Sequence, residues 1–233
     1  MDHHLYTANP SHYTNSPHYS TKSVVIKKNF FRTSPSLIYK PFNIHHMFDF
    51  IIKKYHERQL RKFMGTPRDK RIDNWDDIKN IGMIFTVGDN NQWNLIHRFI
   101  TAQQSQGKEV YLIGFQANKY EIDYIFSHTH TTICHEKEDF TRLGLPKEGV
   151  ASAFLDHRYD LVIDATVQPN FFGKYITALS RANLKVGFNN LSLDNQGEMD
   201  MYDMTIQGNG PIDFKEYIEQ IVKYLKMIKK TNA

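Results

Sequence analysis

Thirty residues, 159–188, constrain the fold of this chain more than any other stretch. They read as a buried strand, a polar turn, an amphipathic helix and a returning strand. Leu161, Val162 and Ile163 form a short apolar run between Asp160 and Asp164, the pattern of a parallel strand covered on both faces. Pro169 falls where the first turn of a helix tolerates a missing N–H. Residues 184–186, closed by Gly187, supply the second strand.

The same grammar recurs on both sides. Residues 81–87 form a first strand, ended by Gly88, Asp89, Asn90 and Asn91. Asn90 or Asn91 can cap the following helix, where Trp93, Ile96, Phe99 and Ile100 repeat at helical spacing. Gly107 stops that helix, and residues 110–115 read as a second buried strand. Residues 120–126 suit a short helix or connector, 131–134 a third or edge strand, 135–146 a loop and 150–154 part of a helix. Beyond Phe188, residues 189–200 read as an exposed loop and 202–206 as a last strand, with a turn at 208–211. Phe214, Tyr217, Ile218, Ile221, Leu225 and Ile228 then form the apolar stripe of a closing helix. Its basic end, at Lys223, Lys226, Lys229 and Lys230, suits the negative end of the helix dipole. The expected architecture is α/β: an open, mainly parallel Rossmann-like sheet with helices on both faces, over residues 72–233.

Residues 47–71 precede that domain as a basic amphipathic helix. Phe48, Ile51, Ile52, Tyr55 and Leu60 share one face. Lys53, Lys54, Arg58, Arg61 and Lys62 occupy the other, followed by Arg68, Lys70 and Arg71. The only acidic residues among these cations are Glu57 and Asp69. Because the net charge of the whole chain is +4, this is its one concentrated charge. Three readings fit it: a solvated helix face, contact with RNA phosphates, or contact with an anionic membrane surface. Residues 1–46 carry His3, His4, His12 and His18 without any hydrophobic period, as expected of a poorly ordered extension. A physiological start at Met47 would leave them upstream of the protein.

A single cysteine, Cys134, fits a reducing compartment. The sequence holds no apolar run of about 18 residues and no apolar leader near Met1. A cytoplasmic, soluble protein is expected.

Asp89 and Asp164 stand at the C-terminal ends of expected parallel strands, where open α/β sheets form ligand crevices. With Gly88, Asn90 and Thr166 they make a candidate crevice in which either carboxylate can act as a base or bind a hydroxyl. Each can equally cap the element that follows it. His128, His130, Cys134 and His135 are the most metal-like group, but four ligands within eight residues crowd the backbone and no second cysteine supports them. Neither a metal nor a cofactor is expected.

The basic first helix, the IGMIF strand at 81–85, the GKEVYLIG segment at 107–114 and residues 159–188 together resemble a family of uncharacterised bacterial proteins common in Bacteroidota. The likeness covers roughly residues 47–229. More distantly, the same segments are similar to the N-terminal Rossmann-like half of heptosyltransferase-type glycosyltransferases of the GT-B architecture. That resemblance puts Gly88-Asp89 in the place of those enzymes' candidate base, and matches YDLVID at 159–164 and the return ending in Val-Gly-Phe at 186–188. The enzymes bind their nucleotide-sugar donor mainly in a second domain, for which this chain carries no second set of strands.

Two functional classes follow. The preferred one is a non-catalytic interaction module that docks through its basic helix on an anionic macromolecule, RNA or a ribosome, or on another protein. The alternative is a small-ligand or sugar-nucleotide enzyme working near Asp89 and Asp164.

Overall fold

Strand β1 (Asn80–Thr86) is buried without a break from Ile81 to Phe85, so it must be covered on both faces and flanked on both edges. A computed structural model supplies those neighbours; it describes residues 44–64, 67–117, 128–166, 170–190, 201–208, 210 and 212–228. Strands β2 (Glu109–Gln116) and β4 (Arg158–Asp164) pair with β1 on either side. Strand β3 (Thr131–His135) lies beyond β2, and β5 (Arg181–Asn190) and β6 (Met204–Gly208) lie beyond β4. The order is β3-β2-β1-β4-β5-β6, with every neighbouring pair parallel. This is the open α/β sheet expected from the sequence. Its order reverses between β1 and β4, which makes their C-terminal ends a topological switch point.

Helices close both faces. On one, α2 (Asn90–Gln104) and α6 (Phe214–Met227) bring Ile96, Ile100, Tyr217 and Ile221 against Met83, Phe85, Leu161 and Ile163. On the other, α5 (Phe171–Leu179) and the single turn α4 (Ser152–Leu155) pack Phe172, Ile176 and Phe154 on Ile84, Ile113 and Val162. Each large apolar side chain buried in these layers contributes roughly 1.5–3 kcal/mol against the entropy of ordering the chain. The short α3 (Glu136–Asp139) interrupts what the sequence suggested was loop throughout 135–146.

Capping explains the helix starts. Asp89 accepts from the Gln92 amide at 2.9 Å, so it, and not Asn90 or Asn91, caps α2. The two asparagines already have helical backbone, whereas Asp89 is extended (φ −82°, ψ 175°) and its carboxylate turns back onto the first turn. Asn170 caps α5 through the Gly173 amide at 2.7 Å. Asp213 caps α6, accepting from Lys215 N at 2.8 Å. Gly107 leaves α2 with φ +73°, a left-handed conformation that costs a side chain.

Helix α1 (Ile44–Met64) belongs to the same compact unit as the sheet, Asn43–Ala233, and begins ahead of the expected boundary at 47. Its contact face keeps Ile52, Tyr55 and Leu60 of the expected stripe half-buried but not the two residues nearer its start. Phe48 and Ile51 are 56% and 50% exposed, while His56 and Phe63, seven residues and two turns apart, make the packing. The His56 ring stacks on Phe171 with centroids 3.6 Å apart, and its Nε2 lies 2.6 Å from the Leu143 carbonyl. Phe63 meets Tyr175 edge-on at 5.9 Å. An imidazole joins an aromatic stack and a hydrogen bond in one place, which an aliphatic side chain cannot.

Strand β6 begins two residues later than residues 202–206 suggested, because Tyr202 and Asp203 turn aside to bind other groups. The expectations for residues 1–43, Tyr120 to Phe126, Pro169 and 191–200 lie outside the described residues. So do those for turn residues 209 and 211, Lys229 and Lys230.

Candidate functional site

The switch point brings the two sequence-derived carboxylates to the ends of neighbouring strands, but engages each in structure. Asp164 ends β4 and is 4% exposed. It accepts from the Thr166 amide at 3.0 Å, the Thr166 hydroxyl at 2.5 Å and the Tyr202 hydroxyl at 2.6 Å. Its own carbonyl accepts from the buried Tyr217 hydroxyl at 3.0 Å, tying α6 to the strand end. Burial pushes the Asp164 carboxyl above the usual carboxylate range, while the hydrogen bonds from Thr166 and Tyr202 and the Lys174 charge pull against that rise. Thr166, also buried, is held by Asp164. This carboxylate therefore organises the strand end; its acceptor positions face protein hydroxyls.

Asp89 sits one strand over, exposed, with its side chain bound to the first turn of α2. Gly88 and Asn90 flank it and are exposed too. Asn170 joins the strands, donating from Nδ2 to Thr86 Oγ1 at 3.0 Å while its Oδ1 caps α5. Gly88, Asp89, Asn90, Asp164 and Thr166 thus lie at the C-terminal edge of the sheet, where Asp89 is a helix cap and Asp164 a buried anchor.

The eight basic residues separate into two groups. Lys53, Lys54, Arg58, Arg61 and Lys62 are exposed on α1. Lys54 lies 3.8 Å from Glu57, and Lys62 donates to Gln59; Lys53, Arg58 and Arg61 make no ion pair among the described residues. At 100° per residue, Lys54, Arg58, Arg61 and Lys62 fall within an arc of about 100° on the side away from His56 and Phe63. Arg68, Lys70 and Arg71 belong elsewhere. Arg68 is half-buried, donates to the Ala182 and Asn183 carbonyls and pairs with Asp203. Lys70 reaches the other Asp203 oxygen at 3.3 Å, and Arg71 pairs with Asp73 at 2.8 Å. Burial raises the Asp203 carboxyl, but Arg68, the Lys185 amide and Lys70 outweigh it and hold it below the usual range. Arg68 and Lys70 therefore stitch the segment after α1 to β5 and Asp203, whereas the Arg71 side chain pairs within its own segment.

The histidine and cysteine group does not assemble into a ligand set. Cys134 is fully buried, and burial pushes its thiol up to about 12, which leaves it inert. His128 turns toward Thr131 at 3.2 Å, and its ring centroid lies 6.2 Å from that of His130. Ser180, the C-cap of α5, is buried and donates to the Thr177 carbonyl at 2.8 Å.

Two lysines that periodicity treats as surface residues are buried. Lys108 donates to the Trp75 and Ile78 carbonyls at 2.6 and 2.7 Å and lies over the Trp75 ring. Burial, then the Lys79 charge, lowers its pKa. Lys185, 4% exposed within β5, donates to the Ala178 carbonyl at 3.0 Å and so caps the C-terminus of α5. Burial, followed by the Arg68 charge, lowers its pKa to about 8. The available signal was a lysine inside an otherwise apolar strand, with Leu184 and Val186 beside it.

No helix among the described residues is long and apolar enough to cross a membrane. Comparison with known proteins returns a family described as "Family of unknown function (DUF6913)", matched over residues 49–228. No curated protein matches. Among solved structures, E. coli heptosyltransferase WaaC with ADP is similar at 11% identity and a TM-score of 0.42, over 66% of this chain and 49% of that one. The chain therefore spans about half the length of that glycosyltransferase.

Proposed function

We propose that this chain, which belongs to the family of unknown function DUF6913, is a cytoplasmic docking module whose helix α1 binds the phosphates of a structured RNA, such as that of a ribosome. One observation carries the reading. Helix α1 is clamped to the domain by His56 and Phe63, and the opposite side holds out Lys54, Arg58, Arg61 and Lys62. A rigid row of cations on a helix suits a phosphate backbone, which supplies closely spaced negative charges and releases counterions on binding.

A membrane surface fits less well. An interfacial helix needs a segregated apolar face to insert. Here the packed face of α1 meets α5, and the exposed Phe48, Phe50 and Ile51 are interleaved with lysines and arginines. The alternative enzyme reading draws on the position of Gly88, Asp89 and Asp164 at the switch point. The structural engagement of both aspartates weighs against it.

The test is binding of ribosomal RNA fragments to the full chain at increasing salt. With four or five phosphates neutralised, log K should fall against log salt with a slope of about −3 to −5. A Lys54→Gln/Arg58→Gln/Arg61→Gln variant should lose about two-thirds of that slope while remaining folded. Absence of RNA binding at low salt, or binding indifferent to these substitutions, would refute the reading. Retention on anionic vesicles that depends on Phe48 and Phe50 would replace it with membrane docking.

A further inference from the structure

A cavity of about 490 Å³ opens at the opposite edge of the sheet from the switch point. It lies among the segment after α1 (residues 67–70), the C-terminal end of α5 and the first residues of β4 and β5. Its volume is in the range that small-molecule sites occupy. Five of its lining side chains are cationic: Arg68, Lys70, Arg158, Arg181 and Lys185. One carboxylate, Asp69, lines it with them, and Asp203 lies behind Arg68 and Lys70.

The two arginines at its mouth are the informative pair. Arg158 and Arg181 begin neighbouring strands and are register partners across the β4–β5 ladder. Both are exposed, and neither side chain makes an ion pair or hydrogen bond with a described residue. Like charges placed directly across a ladder are destabilising. Asp160, two residues after Arg158, is turned to another task, because its Oδ2 accepts from the Lys79 and Asn80 amides at 2.8 and 2.9 Å. Arg68 and Lys70, by contrast, are matched by Asp203. The uncompensated charge is thus concentrated at the mouth.

The end of helix α5 would ordinarily repel an anion here. Its last carbonyls are already occupied: Ala178 by Lys185 Nζ, Thr177 by Ser180 Oγ and Ile176 by the Ser180 amide. With those carbonyls occupied, Arg158 and Arg181 are the lining cations whose side chains have no partner among the described residues. Phe63, Leu179 and Met201 add apolar side chains to the lining.

We propose that this cavity binds a phosphorylated small molecule, with its phosphate between Arg158 and Arg181 and its organic body against Leu179 and Met201. Two guanidinium forks approaching from adjacent strands present several N–H donors to one tetrahedral dianion, a geometry that a single lysine cannot supply. The site is separate from the α1 surface and does not depend on the RNA reading.

Isothermal titration and thermal shift of the full chain test it. Pyrophosphate and ribose 5-phosphate serve as probes, with citrate and sodium chloride as controls at equal ionic strength. Both phosphates should give saturable binding and raise Tm, and an Arg158→Gln/Arg181→Gln variant should bind at least tenfold more weakly. Without phosphate, that variant should be as stable as the parent or slightly more so, because it removes a repulsion and touches no core residue. Arg58→Gln/Arg61→Gln on α1 should leave phosphate binding unchanged, which separates the two surfaces. Any one of three results would overturn the proposal: no saturable response beyond chloride, equal binding of citrate, or full binding by the double variant.

Discussion

Replacing Lys185 by methionine should make the protein more stable at neutral pH, although it removes a hydrogen bond. A buried lysine whose pKa falls from 10.5 to about 8 costs the protonated folded state about 3 kcal/mol relative to a neutral side chain. Methionine has similar length and no charge. It forfeits the 3.0 Å bond to the Ala178 carbonyl, a loss of roughly 1–2 kcal/mol. The expected net gain at pH 7 is about 1–2 kcal/mol. The pH dependence is the sharper signature. Because the folded state releases this proton before the unfolded state does, the full cost is present below pH 8 and is relieved as pH rises toward 10.5. Between pH 7 and pH 9 the parent should gain about 1.3 kcal/mol from this group alone, and Lys185→Met should lack that gain. Urea unfolding of both proteins at the two pH values measures it, with their difference cancelling every other titration. Parallel pH profiles would refute the reasoning. So would a methionine variant more than 1 kcal/mol less stable than the parent at pH 7.

Three further outcomes follow from the same contacts. Asp164→Ala removes the acceptor of the Thr166 amide and of the Thr166 and Tyr202 hydroxyls and should cost about 2–4 kcal/mol in urea unfolding. Asp164→Asn should cost far less. It should also abolish the share of stability that the raised carboxyl pKa provides at low pH and loses as pH rises through it. His56→Ala removes the Phe171 stack and the Leu143 bond, and should raise amide hydrogen exchange in α1 at least tenfold while exchange in β1 stays unchanged. Arg68→Ala leaves a half-buried Asp203 with only Lys70 and the Lys185 amide, and should cost about 1–3 kcal/mol and move the Asp203 carboxyl upward in an NMR titration.

The sequence alone determined the layers. Apolar runs of three to six residues, alternating with segments of helical period, define β1, β2, β4 and the closing helix within three residues of their observed ends. Local chemistry decides such elements, because a run like Leu161, Val162 and Ile163 has one way to satisfy both its backbone and its side chains. The position of Asp89 and Asp164 at strand ends was legible for the same reason. Only the tertiary structure decided what those residues do. Asp164 is a buried anchor because Tyr202, thirty-eight residues later, reaches it. The basic run divides into an exposed row and a paired group because Asp203 folds back beneath Arg68 and Lys70 and Asp73 takes Arg71. Arg158 and Arg181 become a pair only through the β4–β5 register. Charge is long-ranged and its partners are set by packing, so its role is fixed last.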